Sequence, residues 1–516
     1  MTSPDENKTM LSDVEHQENQ DATEFAEGNR DNPLRVEKKR KLSALRARGI
    51  DPYPHDFART AHAGDLATRY SGMEPGDKDE GSRHRIAGRL MANRLMGKAA
   101  FFNLLDQSGS LQVYVKRNEL SEEDLFVFDH LDIGDLVGVE GFMFKTQKGE
   151  VSLWANQLTM LCKSIEPLPE KFHGLTDVEL KYRHRHLDLI MDGESRQVFQ
   201  ARSRMIREIR RFLDDRGFME VETPILQPLY GGAAAHPFTT HHRALDMELY
   251  LKISPELYLK RLIVGGFEKV YDLGRNFRNE GIDRSHNPEF TMIEWYEAYT
   301  DYTYQMKQFE DLCAHLAVTI RGSSKFVYQD REIDFTTPWR RLTVYDGLRQ
   351  YGQLDPETMS DDELFGKLQE LGSPLEAAAG RGVMIMELFE LLVEPHLWDP
   401  TFILDFPKEV SPLTKTHRER PELVERFEPY AAGMEIGNAY TELNDPLDQR
   451  ERLREQEEKR VIDEEAHPMD HDFLHAIDVG MPPTGGVGLG IERMVMILTD
   501  RPSIRDIILF PTLKRR

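Results

Sequence analysis

Alternate residues Phe290, Met292, Glu294 and Tyr296 of the run RSHNPEFTMIEWY would share one face of a β-strand, because strand side chains alternate between faces. Acidic Glu294 beside apolar Met292 has two readings: an exposed strand face, or a carboxylate placed to receive a ligand's ammonium group. Burying an unpaired charge is too costly to be casual. The preceding run GRNFRNEG sets Arg278 at the end of a first strand, and the polar turn between the two runs makes them a hairpin. Further along stand Glu428 and then EIGNAYTE, in which Asn438, Tyr440 and Glu442 would share a strand face. Carboxylates of this kind suit Mg²⁺ bridging the phosphates of ATP, although most isolated carboxylates are merely solvated. Near the end, GGVGLGIER brings glycines up to a helix that carries Arg493. A dinucleotide fingerprint would come early in a βαβ unit with an acidic residue downstream, and a Walker loop would hold Gly-Lys-Ser or Gly-Lys-Thr. Neither is present, so these glycines read as positions where backbone approaches a ligand closely.

The elements that must hold these residues are legible from periodicity. Val198, Ala201, Met205, Ile206, Ile209, Phe212 and Leu213 form one helical stripe; Gly217 stops that helix, and Phe218 to Val221 extends as a strand ended by Pro224. From Pro167 and Pro169 to Arg516, helices and strand-like runs mix without a βαβ rhythm, which predicts an α+β domain: an antiparallel sheet flanked by helices. Asp361 to His396 reads as a helical insertion with no assignable chemistry. Before this region, Arg85–Leu90, Phe101–Leu105, Leu111–Val115, Leu136–Phe142 and Val151–Trp154 read as five strands, with a helical insert near Asp124 to His130. That pattern suits a small oligonucleotide-binding (OB-fold) β-barrel. A basic helix is expected from Asn32 as N-cap and Pro33 at its first position to Gly49, with Leu34, Leu42 and Leu45 along one side. Its other faces read either as ordinary solvated surface or as an arm that touches RNA phosphates. Residues 1–31 are acidic with few apolar side chains and are expected to be disordered. The expected domains are therefore 1–31, 32–83 (basic helix and linker), 84–165 (barrel) and 166–516, the last with its insertion at about 355–400.

Composition narrows the class. The chain has 516 residues, enough for two or three folded units, and no apolar run long enough to span a bilayer. With no signal-like N-terminus, a cytoplasmic protein without a membrane partner is expected. Cys162 and Cys313 are the only cysteines, too few for a disulfide framework or a thiolate zinc site. The net charge of −24 argues against a polyanionic partner, yet Lys38, Lys39, Arg40, Lys41, Arg46 and Arg48 directly follow the acidic stretch, and local charge decides where RNA sits.

In this order, the three constellations around Gly217–Pro224, Arg278–Tyr296 and Gly485–Arg493 resemble motifs 1, 2 and 3 of the class II aminoacyl-tRNA synthetases. The agreement narrows to the lysyl members, of bacterial type, from about Leu34 to Pro511. The most specific stretches are GGAAAHPF (Gly231–Phe238), PELYLKR (Pro255–Arg261), the second motif and Glu435–Asn444. The resemblance implies a lysine–tRNA ligase that makes lysyl-adenylate from lysine and ATP and transfers lysine to tRNA. It further implies a homodimer through motif 1 and an anticodon-reading barrel. Carried onto matching positions, Arg278 would hold the α-phosphate and Phe290 and Arg493 would sandwich adenine, so Arg278 and Arg493 carry catalysis. Glu280, His286 and Asn287 would complete the ATP site, and Glu428 and Glu435 would bind Mg²⁺. Gly232, Glu256, Glu294, Tyr296, Asn438, Tyr440 and Glu442 would hold lysine; Phe101, Gln112 and Glu150 would contact the anticodon. For Phe101 the competing reading is core packing, with Phe102 as the alternative contact. His236 stands where the family pattern has Arg. Rival readings are a paralogue that lysylates a protein such as elongation factor P, an RNA-binding regulator built on an inactive synthetase, and an aspartyl or asparaginyl enzyme. The first lacks the barrel; the second would have lost its motif arginines or metal carboxylates; the third is opposed by Glu256, Glu294 and Glu442, which would repel an anionic side chain.

Overall fold

In a computed structural model of the chain, residues 32–169, 177–376, 379–459 and 468–515 are described. The acidic segment expected to be disordered lies outside them. The described chain forms two compact units that divide at residues 175 and 176. No described helix is long and apolar enough to cross a membrane.

In the first unit, helix α1 (Pro33–Ala47) starts as expected: Asn32 Oδ1 accepts the Leu34 N–H at 2.9 Å, satisfying one of the helix's orphan donors. Its apolar side is shorter than the leucine spacing implies, because Leu45 is buried while Leu34 is largely exposed. Part of its basic face is structural. Lys38 Nζ donates to the Ile133 carbonyl at 2.9 Å and to Ser164 Oγ at 2.7 Å, and Lys41 pairs with Asp132 at 2.6 Å. Strands β1 (Lys78–Met96), β2 (Ala99–Leu105), β3 (Ser110–Lys116), β4 (Leu136–Lys145) and β5 (Val151–Cys162) close a barrel in the order β1-β2-β3-β5-β4, and helix α2 (Glu122–Asp129) lies between β3 and β4 in sequence. The β3–β5 pairing is parallel, so the barrel closes through a crossover and not as a simple meander. Each strand is longer than its apolar run, since hydrogen-bonded pairing continues past the last core residue. Alternation sets the faces: Ala100, Phe102 and Leu104 of β2 and Leu111, Val113 and Val115 of β3 point into the barrel's core.

The second unit is built on a sheet. Helix α3 (Gly193–Asp214) leads through Gly217, at φ +81°, into β6 (Met219–Glu220). Helix α4 (Glu256–Val264), strands β7 (Lys269–Phe277) and β8 (Glu289–Ala298), and helix α5 (Tyr302–Arg321) follow. The remaining sheet strands are β9 (Arg340–Thr343), β10 (Thr401–Pro407), β11 (Leu423–Ala431), β12 (Met434–Glu435), β13 (Gly437–Thr441) and β14 (Thr484–Gly490). Helix α8 (His471–Val479) precedes β14 and α9 (Ile491–Thr499) follows it, while α6 (Asp361–Glu370) and α7 (Arg381–Leu392) lie between β9 and β10 in sequence. Among the described residues nine strands join in the order β9-β10-β11-β13-β14-β8-β7-β6, with β12 paired to β11. The five central pairings, from β10–β11 to β8–β7, are antiparallel, and the β9–β10 and β7–β6 pairings near the two edges are parallel. Ile293 and Trp295 of β8 and Val487 and Leu489 of β14 face a core shared with Met205 and Ile209 of α3, Leu312 and Leu316 of α5 and Met494 to Leu498 of α9. Each such side chain stabilises the fold by roughly 1.5–3 kcal/mol. Burial of the odd-numbered β8 residues therefore presents the even-numbered ones, Phe290 to Tyr296, on the other face.

Candidate active site

That other face bounds a cavity of about 420 Å³. Lining it are Gly232, Glu256, Arg278, Glu280, His286, Asn287, Phe290, Glu294, Tyr296, Glu428, Glu435, Asn438, Tyr440 and Arg493. Every residue expected at the ATP and lysine sites is thus brought together except Glu442, which lies fully buried behind the wall. His236 does not line the cavity; its carbonyl accepts the Asn279 N–H at 2.8 Å.

At one end sit two arginines. Arg278 leaves β7 with its backbone N–H bound to the Pro288 carbonyl at 2.9 Å, and its guanidinium lies 5.2 Å from the Phe290 ring centroid. Burial pushes its pKa down, opposed by Glu280, Glu435 and Glu294; the guanidinium still stays charged, because arginine's ordinary value is so high. Arg278 Nε is buried and has no hydrogen-bond partner. A buried donor left unpaired in this way costs about 1–3 kcal/mol, which an anionic ligand would recover. Arg493 donates to the Glu435 carbonyl at 2.5 Å and to its carboxylate at 3.2 Å, and lies 3.3 Å from His286 Nε2. His286 in turn meets Asp283 at 2.8 Å; burial raises Asp283, but the bonds from His286 and the Ser285 and His286 backbones outweigh it and hold the carboxyl down at about 2. Asn287 donates Nδ2 to the Glu289 carbonyl at 2.6 Å, which orients its amide and leaves the buried Oδ1 without a partner. Beneath these groups Glu492 accepts from Arg202 at 2.7 Å and from the Thr291 N–H at 3.0 Å, locking the start of α9 to β8.

Glu428 and Glu435 come from neighbouring strands. Burial raises Glu428 to about 7; Arg426, bound at 2.6 Å, opposes the rise and the charge of Glu435 adds to it. Two mutually repelling carboxylates form a hard, oxygen-only donor set that a divalent cation would relieve. No group of three or more His, Cys, Asp or Glu among the described residues could hold a metal unaided. The pair therefore fits Mg²⁺, which ordinarily takes one or two carboxylates and completes its shell with phosphate oxygens and water.

The other end is acidic. Glu294 accepts from Ser254 Oγ at 2.8 Å and from the Tyr296 hydroxyl at 3.1 Å; burial, then the charge of Glu256, raises it to about 8. Glu256 accepts from the Tyr440 hydroxyl at 2.5 Å and from Lys260 Nζ at 2.6 Å. Glu442 is ion-paired with Lys260 on one oxygen, and its Oε1 has no hydrogen-bond partner. The glycines make room here. Gly232 sits at φ +85°, and a Cβ there would lie 2.8 Å from Ser254 Oγ; a Cβ on Gly486 would lie 2.0 Å from Glu442 Oε1.

Three contributors escape sequence reading. Arg426 alternates with Glu428 on β11 and donates to Asn438 Oδ1 at 3.0 Å, so one guanidinium orients a residue of each end. Ser254 is a short side chain just ahead of α4. Lys260 lies four residues after Glu256, the spacing at which helical side chains meet, and that spacing could have flagged it.

On the barrel Phe101 is directed outward and Phe102 is the core residue, at 0 % exposure. The Phe101 ring lies 5.0 Å from Tyr114, which is 4.6 Å from Trp154. Gln112 shares that outer face and accepts from Ser152 Oγ at 2.8 Å; Glu150 is exposed just before β5.

Comparison with known proteins matches these two regions separately. Residues 177–514 match the model of "tRNA synthetases class II (D, K and N)", and residues 84–167 match an "OB-fold nucleic acid binding domain". The lysine–tRNA ligase of Syntrophomonas wolfei is 51 % identical over 478 residues, 92 % of this chain and 96 % of the relative. That of Bordetella bronchiseptica is 49 % identical over 493 residues, 94 % and 97 %, and that of Methanoculleus marisnigri 50 % over 478 residues, 92 % and 94 %. With the synthetase model matched over residues 177–514 and relatives about half identical over nearly the whole length, the chain belongs to the lysine–tRNA ligase family of class II tRNA synthetases.

Proposed function

We propose that the chain activates L-lysine with ATP, forming lysyl-adenylate and pyrophosphate, and then transfers lysine to the 3′ end of its tRNA. The observation that carries this reading is the polarity of one cavity: a buried arginine with an unpaired donor and two carboxylates at one end, and two buried carboxylates, backed by Glu442 behind the wall, at the other.

In the first step a lysine carboxylate oxygen forms a bond to the α-phosphorus as the bond to the bridging β-oxygen breaks, and pyrophosphate leaves with that electron pair. Such in-line displacement needs positioning and charge neutralisation more than a protein nucleophile. Arg278 supplies the charge at the α-phosphate, and its ring neighbour Phe290 and Arg493 take the two faces of adenine. Asn287 Oδ1 accepts an N–H of the base, with Glu280 and His286 beside it. Glu428 and Glu435 would hold Mg²⁺, whose chemistry is to neutralise phosphate charge and orient the leaving pyrophosphate. Arg426, by fixing Asn438 Oδ1, turns the amide NH₂ toward the amino acid's carboxylate. Gly232, Glu256, Glu294, Tyr296 and Tyr440 surround the two ammonium groups, with the charge of Glu442 behind them. In the second step the terminal tRNA hydroxyl attacks the carbonyl carbon and AMP leaves. On the barrel Phe101 stacks on a splayed anticodon base, with Gln112 and Glu150 as polar contacts. The barrel and its outward aromatics favour tRNA over a protein acceptor. We place the protein in the cytoplasm as a homodimer.

The deciding experiment is ATP–pyrophosphate exchange with each of the twenty amino acids, followed by charging of total tRNA. Lysine alone should support exchange, and lysine should appear on its tRNA. Exchange with another amino acid, or lysine exchange without any tRNA charging, overturns the respective half of the reading.

A further inference from the structure

The amino-acid end of the cavity contains a lysine of its own. Lys260, fully buried on α4, places Nζ 2.6 Å from Glu256 Oε1 and in ion-pair contact with Glu442. From β13 the Tyr440 ring stands 5.4 Å away, from α8 the Phe473 ring 5.9 Å, and from β8 the charged and titratable neighbours of this cluster are Glu294 and Tyr296. A buried ammonium is costly unless paired and hydrogen-bonded, and a plain structural ion pair here could be replaced by apolar side chains at no loss. Its placement behind two carboxylates of the site gives it a different use.

We propose that Lys260 is the resident counter-ion of the amino-acid pocket, a positioning residue that pairs with Glu256 and Glu442 and aims them so that the oxygens it leaves over serve the incoming ammonium groups. This rests on the reading of the cavity as a lysine site. With lysine bound and Glu294 ionised, three carboxylates and one internal ammonium leave two negative charges, matching the two ammonium groups of lysine. Glu442 shows what Lys260 works against: burial, Glu256 and Glu294 together hold its carboxyl well above the ordinary range, and Lys260 opposes them. Without Lys260 the burial that raises Glu442 goes unopposed, and that carboxyl takes a proton and changes from acceptor to donor. Specificity then depends on pH.

The test is Lys260→Met, read as KM for lysine in pyrophosphate exchange between pH 6 and 8.5 and expressed as the ratio to the unaltered protein. The expected result is a KM raised about ten-fold or more at pH 7, from loss of a buried charge's partner, with the ratio shrinking as pH rises. KM for ATP should stay within about three-fold, since Lys260 touches nothing at that end. A ratio of one, or one that is constant or grows with pH, overturns the proposal and leaves Lys260 a packing residue. Lys260→Gln carries the same test if the Met variant does not fold: it keeps a hydrogen-bond donor but no charge. The same shrinking ratio is expected from it, and unchanged kinetics would overturn the proposal. If the unaltered protein shows no lysine-dependent exchange, the functional reading fails first and this inference falls with it.

Discussion

At the scale of single residues, the cavity works by assigning opposite electrostatic problems to its two ends. Arg278 is a buried cation with an unpaired Nε, so its partner must be an anion. Arg278→Ala should leave the fold intact, since no described side chain depends on Nε, while lowering lysine-dependent exchange by at least about 10²–10³-fold, the cost of losing one preorganised charge stabiliser. Retained exchange in a variant with an unchanged thermal melt would remove Arg278 from the mechanism. Glu294 poses the converse problem. Raised to about 8 by burial and by the charge of Glu256, it is largely protonated at neutral pH in the free protein. An ammonium group binds the ionised form, so binding releases a proton and weakens as pH falls below about 8. KM for lysine should accordingly fall as pH rises from 6 to 8, and calorimetry in buffers of different ionisation enthalpy should show proton release at pH 7. Glu294→Gln should abolish that release; a release that persists unchanged would assign the titration to another group.

Elements explain why some of this was legible in the sequence and some was not. The period-two faces of β8 and the stripe of α3 follow from local alternation, and both appear at the expected residues. The glycines of Gly485–Gly490 were legible as a place of close approach: they form the strand β14, Gly486, Gly488 and Gly490 line the cavity, and Gly486 also makes room for Glu442 and Tyr296 of this same chain. Glu442 was expected on a strand face with Asn438 and Tyr440. It lies one residue past β13 and meets Lys260, which the Tyr440 ring also faces, a tertiary pairing that no local pattern encodes. Arg426 and Ser254 were missed because each acts through another side chain. On β2 the question between Phe101 and Phe102 is one of parity, and the core takes Phe102. Phe101→Ala therefore removes an outward ring without opening a cavity in the barrel. Its expected effect is near-normal adenylate formation with a charging efficiency on tRNA about 10–100-fold lower, the worth of one stacked base. Equal loss in both assays would show that the substitution acts through folding.

The whole molecule carries an excess of acidic residues, and the basic side chains that would offset it locally are partly committed. Lys38 and Lys41 hold α1 to the Ile133–Ser164 region by hydrogen bonds, while Lys39, Arg46 and Arg48 stay exposed. Recognition of RNA must then lean on stacking and shape more than on a broad positive field. Apolar surface is uneven as well. The sheet ends at β6, an edge strand of two residues, and beside it in sequence Met219, Ile225 and Leu226 are 40 %, 48 % and 50 % exposed. An open sheet edge next to exposed aliphatic side chains is a template for pairing, and a self-complementary contact through a two-fold axis would cover both at once. The protein should therefore sediment at twice the chain mass at micromolar concentration. The double substitution I225D/L226D, which sets like charges against each other across such an axis, should shift it to the single-chain mass with the circular dichroism spectrum retained. Persistence of the double mass in that variant would place the contact elsewhere on the surface, and a single-chain mass for the unaltered protein would dismiss the dimer altogether.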